Sequence, residues 1–131
     1  MSKETHKRFS LEDLMARAEQ RAGDKTAYKN VYVEPLGGEL TVEKIPLARV
    51  LSMLDGLDGS SMTENLDFQS DLVYYCCPVL RDAALMEAYG AKTSTDLVCA
   101  VFEDNIGAIS KTAEEILAFY GLADHKDVVK N

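Results

Sequence analysis

The sequence predicts a mainly α protein: a compact helical domain of about five helices with a β-hairpin near its N-terminus. Apolar residues recur at helical spacing in several segments between residues 47 and 120. Two short alternating segments flank a glycine-containing turn before them. The chain has 131 residues, 47% of them hydrophobic, which is enough for one core of its own. One helical domain is therefore expected over residues 27–122.

The first 26 residues are predicted to form a polar N-terminal arm with one short amphipathic helix. The apolar residues of that helix share one face and are Leu11, Leu14, Met15 and Ala18. Ser10 stands where an N-cap is expected, Asp13 takes the place of the Glu or Gln of a full capping box, and Gly23 ends the pattern. The arm is expected either to dock on a partner through this stripe or to be a frayed helix.

A β-hairpin is predicted over residues 27–45, where β-branched and aromatic residues lie on both sides of Pro35-Leu-Gly-Gly38. Val31 and Val33 share one face of the first strand, while two tyrosines and Asn30 share the other. Because two strands alone are marginal in water, the hairpin is expected to pack on helices.

Five helices are predicted after the hairpin. They run from Leu47 to Leu54, from about Met62 to Cys76, from Leu80 to Tyr89, from an N-cap at Ser94 or Thr95 to Phe102, and from about Asn105 to Tyr120. Thr63 or Asn65 is the expected N-cap of the second of these helices, Pro78 breaks or kinks it, and Gly90 and Gly121 end later ones. Residues 123–131 are expected to fray as a C-terminal tail.

Leu72-Val-Tyr-Tyr-Cys-Cys77 is apolar all round a helix, so it predicts either the central helix of the fold or a subunit contact. Tyrosine is also favoured in protein interfaces, because it offers contact area with a polar tip. The predicted partner-binding residues are Leu11, Leu14, Met15, Leu72, Tyr74 and Tyr75.

Charge and hydropathy exclude several classes of protein. Lys and Arg number 14 and Asp and Glu 22, so the formal net charge is 14 − 22 = −8, and no nucleic-acid partner is expected. The longest apolar-looking run, from Leu72 to Leu80, is far short of the roughly 20 residues that cross a bilayer. The N-terminus is too polar for a signal peptide, so the cytoplasm is the expected location.

No motif in the sequence predicts a catalytic residue, a cofactor site or a metal site. Cys76 and Cys77 are adjacent, so they lack the spacing of zinc ligands, and His6 and His125 lie near opposite ends. The acidic segment that begins at Asp55 lacks the oxygen ligands and the sixth-position glycine of a calcium loop. The cysteines, including Cys99, are expected to be buried small hydrophobes.

Several short motifs follow one another in a characteristic order. They are Ile45-Pro46-Leu47 after the hairpin, Ser70-Asp71-Leu72-Val73-Tyr74, Cys77-Pro78-Val79-Leu80-Arg81-Asp82, Leu85 to Tyr89, Asp96-Leu97-Val98, Val101-Phe102-Glu103, Ile106-Gly107, and Ala113-Glu114-Glu115-Ile116-Leu117 leading to Tyr120-Gly121. This order resembles the PBSX-like group of tail assembly chaperones of contractile-tailed phages and phage-like elements. The resemblance covers roughly residues 28–122, and the block from Asp71 to Asp82 is its most specific part.

The resemblance implies a non-enzymatic assembly factor in the host cell cytoplasm. Such a protein binds the tape measure protein and keeps it soluble until the tail tube polymerises around it. The resemblance also implies contact with tail tube subunits, a longer form made by ribosomal frameshifting, and self-association into a homo-oligomer. The segment from Lys3 to Gly23 lies outside the family pattern, so the resemblance assigns it no role.

Two alternatives from other classes stay open at this stage. An acidic adaptor or inhibitor that mimics nucleic acid would need its negative charge gathered on one face, whereas basic residues interrupt the acids along the chain. These basic residues are Lys44, Arg49, Arg81, Lys92 and Lys111. A small enzyme with its site at an oligomer interface would need a pocket of perturbed acids shared between subunits.

Overall fold

The computed structural model of the protein describes residues 8–23, 28–55, 57 and 59–122. The helices are α1 (Leu11–Gly23), α2 (Leu47–Leu54), α3 (Met62–Cys76), α4 (Ala83–Tyr89), α5 (Ser94–Val101) and α6 (Ile106–Phe119), and the strands are β1 (Tyr28–Val33) and β2 (Gly38–Glu43). Short 3-10 turns cover Glu34–Leu36 and Pro78–Arg81. The mainly α fold with a hairpin ahead of five helices is therefore confirmed. The predicted tail, His6 and His125 lie outside the described residues.

The hairpin has the predicted facing of side chains. β1 pairs with β2 in antiparallel register, from Tyr28 opposite Glu43 to Val33 opposite Gly38. Val31 and Val33 are buried, whereas Tyr28 and Asn30 are exposed. The reversal needs a positive φ at one glycine, Gly37 (φ 65°), whose N–H closes the turn on Val33 O at 3.0 Å.

α3 is the centre of the domain. It packs on α5 and α6, and more lightly on α2, while the hairpin lies against α6 through β1. One contiguous core joins these elements. Its largest fully buried side chains are Phe102, Leu72, Leu80, Leu97, Ile109, Ile116 and Leu117, together with Val31, Val33, Val42 and Val50. The hairpin thus reaches its stability by packing on helices, as two strands require.

The predicted N-caps of two helices are wrong by a short distance. Ser61, not Thr63 or Asn65, caps α3, because its Oγ accepts a hydrogen bond from Glu64 N at 3.2 Å. Thr93, not Ser94 or Thr95, caps α5 by accepting from Asp96 N at 3.0 Å. A capping residue keeps extended backbone outside the helix and serves the N–H three positions on. Several neighbouring Ser, Thr and Asn residues can act as caps, so the sequence alone did not identify the one that directly precedes the helix.

The link between α5 and α6 holds two non-glycine residues in the left-handed region, Glu103 (φ 55°) and Asp104 (φ 60°). Glu103 N donates to Ala100 O at 3.1 Å and Asp104 N donates to Cys99 O at 2.7 Å. These two bonds form a Schellman motif, in which glycine is the usual residue at the Glu103 position. The motif ends α5 and turns the chain into α6, at the cost of steric strain at the Cβ of Glu103.

Replacing Glu103 with Gly is therefore expected to stabilise the protein by about 0.5–1 kcal/mol, because glycine adopts this conformation without that strain. Urea denaturation of E103G and wild-type protein measures the difference. E103A is the matched control: it removes the same charge but keeps a Cβ, so it should show no such gain. Equal stabilisation of both variants would assign the effect to charge instead of backbone conformation.

Candidate partner-binding surface

α1 presents its predicted apolar stripe to solvent. Leu11, Leu14 and Met15 are 72%, 54% and 57% exposed, and every residue from Leu11 to Gln20 except Asp13 is exposed. Among the described residues, α1 takes no part in the extensive contacts between helices and strands. The amphipathic helix predicted for the arm is thus confirmed, and its apolar residues Leu11, Leu14 and Met15 are exposed.

The first turn of α1 is held by contacts within the arm. Ser10 N donates to Asp13 Oδ2 at 2.9 Å, and Asp13 N donates to Ser10 Oγ at 3.2 Å. This is a reciprocal capping box in which Asp replaces the usual Glu or Gln. The guanidinium of Arg17 lies 5.2 Å from the centre of the Phe9 ring. Isolated helices shorter than about 12–15 residues are marginal in water, so contact of this 13-residue helix with another surface would stabilise it.

The prediction that Leu72 binds a partner is wrong. Its side chain is 0% exposed and lies in the core, as do Val73, Cys76 and Cys77 of the same apolar run. The alternative that this run belongs to the central helix is correct, because neighbouring elements pack on several sides of α3. A partner cannot reach Leu72 without opening the fold.

Tyr74 and Tyr75 lie at the C-terminal end of α3 and are half-buried. Their rings meet edge to face, with centres 5.0 Å apart and planes at 85°. The guanidinium of Arg49, from α2, lies 4.3 Å from the centre of the Tyr75 ring, which is cation–π geometry. Both side chains keep part of their surface accessible, so they can serve a protein contact. Among the described residues, α1 and α3 share no extensive contact, so the α1 stripe and the two tyrosines are treated as two separate surfaces.

A third surface was not predicted. The first turns of α3 and α6 lie side by side and border an open groove of about 300 Å³. Met62 and Ile106, each the first residue of its helix, are 79% and 51% exposed on this groove, and Leu66 lines it between them. Its polar lining includes Gln69, whose Oε1 accepts a hydrogen bond from Ser110 Oγ at 3.0 Å. The available signal was a large apolar residue at the exposed start of each of two helices.

The opposite face of α3 borders an acidic groove of about 270 Å³. Its carboxylates are Asp55, Glu64, Asp67 and Asp71, and its apolar lining is Met53, Leu57 and Phe68. Two of the carboxylates also hold the start of α5: Asp67 accepts from Thr95 Oγ1 at 2.8 Å, and Asp71 accepts from Ser94 Oγ. Some of the negative charge is therefore gathered on one face, which the acidic-adaptor alternative requires.

The described part of the chain holds no group of three or more His, Cys, Asp or Glu side chains that could bind a metal ion. None of its helices combines the length and the apolar character that crossing a membrane requires. Cys76 and Cys77 are buried as predicted, whereas Cys99 is half-buried. Burial raises the pKa of Cys76 to about 11 and that of Cys77 to about 12, and it also raises the pKa of Cys99.

Cys99, the most accessible of the three thiols, is therefore expected to react with iodoacetamide well before Cys76 and Cys77 in the folded protein near pH 8. At that pH a thiol of pKa about 11 is ionised to roughly one part in a thousand, and the thiolate is the nucleophile. Mass spectrometry should show one modification per native chain and three after denaturation. C99S should abolish the first native modification. Equal rates at all three thiols would contradict the burial of Cys76 and Cys77.

Comparison with protein-family models, with curated protein sequences and with solved structures finds no significant match to this chain.

Proposed function

We propose that this chain is a phage tail assembly chaperone of the PBSX-like group, which binds the tape measure protein and keeps it soluble for tail tube polymerisation. The activity is binding alone and uses no catalytic residue or cofactor. It takes place in the host cell cytoplasm. The motif order from Ile45 to Gly121, with its specific block from Asp71 to Asp82, is the reason for naming this family.

The single structural observation that supports this proposal best is the uncovered apolar stripe of α1. A tape measure protein is expected to be a long helical chain with apolar stripes that self-associate in water. An amphipathic helix can cover such a stripe by helix-to-helix packing through Leu11, Leu14 and Met15. Tyr74 and Tyr75 are the second proposed contact, and Leu72 is removed from the set because it is buried.

The negative charge of the protein supports the proposal that it keeps the tape measure protein soluble. A net charge of −8 on each bound chaperone adds repulsion between coated tape measure chains and so opposes their aggregation. The chaperone must later leave, and modest contacts through a short helix and two half-buried rings suit displacement by tail tube subunits. A longer frameshifted form and self-association belong to the same proposal.

Co-expression with the tape measure protein of the same phage or element tests the proposal. A soluble complex of defined mass is expected after affinity capture and light scattering, whereas the tape measure protein alone should be insoluble. L14D should weaken capture strongly, and A16D, which adds the same charge on the opposite face of α1, should not. Absence of any complex with folded chaperone would reject the proposal.

The acidic groove of α3 favours a second candidate function, an acidic adaptor or inhibitor that acts by binding proteins or by mimicking nucleic acid. Asp55, Glu64 and Asp67 would then meet a basic surface of a nucleic-acid-binding protein. Such a complex would weaken steeply with salt, since exposed charges are screened within about 10 Å at 0.1 M. A complex that persists at high salt and depends on Leu14 favours the chaperone instead.

A further inference from the structure

The outward face of the hairpin carries two tyrosines and two glutamates. Side chains alternate along a strand, so the face opposite to buried Val31 and Val33 points away from the helices. Three cross-strand pairs share this outward face: Tyr28 with Glu43, Asn30 with Thr41, and Tyr32 with Glu39. The two tyrosines are 63% and 52% exposed. Each end of the face therefore presents an aromatic ring beside a carboxylate.

A hydrogen bond across the middle pair stabilises this arrangement. Thr41 Oγ1 donates to Asn30 Oδ1 at 2.7 Å. Residues directly opposite each other in an antiparallel pair have Cβ atoms about 4.5–5.5 Å apart, so each tyrosine is also a neighbour of its glutamate. Tyr28 and Tyr32 are four residues apart on β1, which separates the two ends of the face by about 13 Å.

The two lysines next to this face are directed toward α6 instead. Lys29 Nζ lies 3.9 Å from Glu115 Oε1. Lys44 Nζ lies 5.2 Å from the centre of the Phe119 ring. Among the described residues, the carboxylates and rings of the outward face have no such cationic partner. The outward face is therefore acidic and aromatic, and its charge is complementary to a cation from another molecule.

A tyrosine beside a glutamate is suited to an arginine side chain. The guanidinium group stacks on an aromatic ring and also donates hydrogen bonds to a carboxylate in its own plane, whereas a lysine ammonium is a compact point charge. The same stacking occurs within this chain, where the guanidinium of Arg49 lies 4.3 Å from the centre of the Tyr75 ring. Two such sites on one face favour a partner with two arginines.

The spacing of the two sites selects the backbone of that partner. In an extended segment, side chains four residues apart point to the same side and are separated by about 13 Å, which equals the separation of Tyr28 and Tyr32. A helix returns to the same face only after seven residues, a rise of about 10–11 Å. An extended segment therefore matches both sites, whereas a helix does not.

We propose that the outward face of the hairpin binds an extended segment of another protein that carries two arginines four residues apart. One guanidinium lies on Tyr28 and pairs with Glu43, and the other lies on Tyr32 and pairs with Glu39. The net charge of −8 attracts such a segment, and the contact weakens as salt rises. This inference goes beyond the proposed chaperone contacts, because it uses neither α1 nor the tyrosines of α3.

Amide NMR titration of the isotope-labelled full chain at low ionic strength tests the proposal. The probe is the peptide Thr-Arg-Val-Thr-Val-Arg-Thr, whose β-branched residues favour extended backbone. Saturable shift changes are expected in residues 28–33 and 38–43 with peptide up to about 10 mM. The control peptide Thr-Arg-Val-Thr-Arg-Val-Thr has the same composition, but its arginines point to opposite sides of a strand, so it should bind several-fold more weakly.

Substitutions on the outward face separate the rings from the charges. Y28T/Y32T keeps β-branched residues in the strand and should weaken binding on the order of tenfold, because two cation–π contacts at exposed sites are lost. E39Q/E43Q preserves side-chain size and should weaken binding and reduce its salt dependence. Y89T is the matched control, since it removes an exposed ring from α4, and it should bind like the wild type.

Four results would overturn the proposal: no saturable binding, shift changes centred on the acidic groove of α3, equal affinity for the two peptides, or wild-type affinity in Y28T/Y32T. The amide spectrum of Y28T/Y32T also shows whether its hairpin is intact. If the hairpin is lost, E39Q/E43Q decides the question, and wild-type affinity with unchanged salt dependence in that variant would reject the site.

Discussion

L72A is expected to lower the free energy of unfolding by about 2–5 kcal/mol, one of the two largest effects predicted for this chain. Leu72 is fully buried on the central helix α3, so truncation removes apolar contacts and leaves a cavity that the surrounding helices fill only in part. Urea denaturation measures the loss as a lower midpoint with an unchanged slope.

L51A is the matched control, because it makes the same truncation at an exposed leucine of α2. Its cost should stay within about 0.5 kcal/mol. If L72A instead weakened partner binding while keeping wild-type stability, Leu72 would be a contact residue and not part of the buried core.

Y120F is expected to cost about 1–3 kcal/mol through the loss of a single oxygen atom. The Tyr120 hydroxyl accepts a hydrogen bond from Ile45 N at 2.7 Å and donates one to Ile45 O at 2.8 Å. Both backbone groups lie in a part-buried position between the hairpin and α2, so removing the hydroxyl leaves a donor and an acceptor unpaired. Thermal and urea denaturation of Y120F report the loss.

Y89F provides the comparison, since Tyr89 is exposed at the end of α4 and the same atom is removed. Its stability should match that of the wild type. The ammonium of Lys44 lies 5.4 Å from the centre of the Tyr120 ring, and this contact survives in Y120F, so the difference isolates the hydroxyl. Equal stability of both variants would show that water satisfies the Ile45 groups.

Local patterns in the sequence were sufficient for the type and order of the elements. Helical spacing identified α1 and α6, alternation identified the inward face of β1 at Val31 and Val33, and Gly90 (φ 67°) ended α4 as predicted. These features depend on the periodicity of apolar side chains and on the backbone conformations that each residue allows. Both are set by residues that are close together in the sequence. The stripe of Leu11, Leu14 and Met15 was recognised for the same reason.

Other features depend on residues that are far apart in the chain. Leu72 belongs to the core and not to a contact surface because other helices pack around α3. Ser61 and not Thr63 is the N-cap because α3 begins at Met62. The apolar groove at the first turns of α3 and α6 is lined by both Met62 and Ile106, which are far apart in the sequence.

The sequence by itself therefore determined a mainly helical, acidic protein with a hairpin and an amphipathic arm. The tertiary structure decided which apolar residues remain exposed. Tyr120 and Ile45, 75 residues apart, meet only in the folded chain. The physical reason is that periodicity requires only local sequence, whereas burial of a side chain is set by whichever distant segments pack against it.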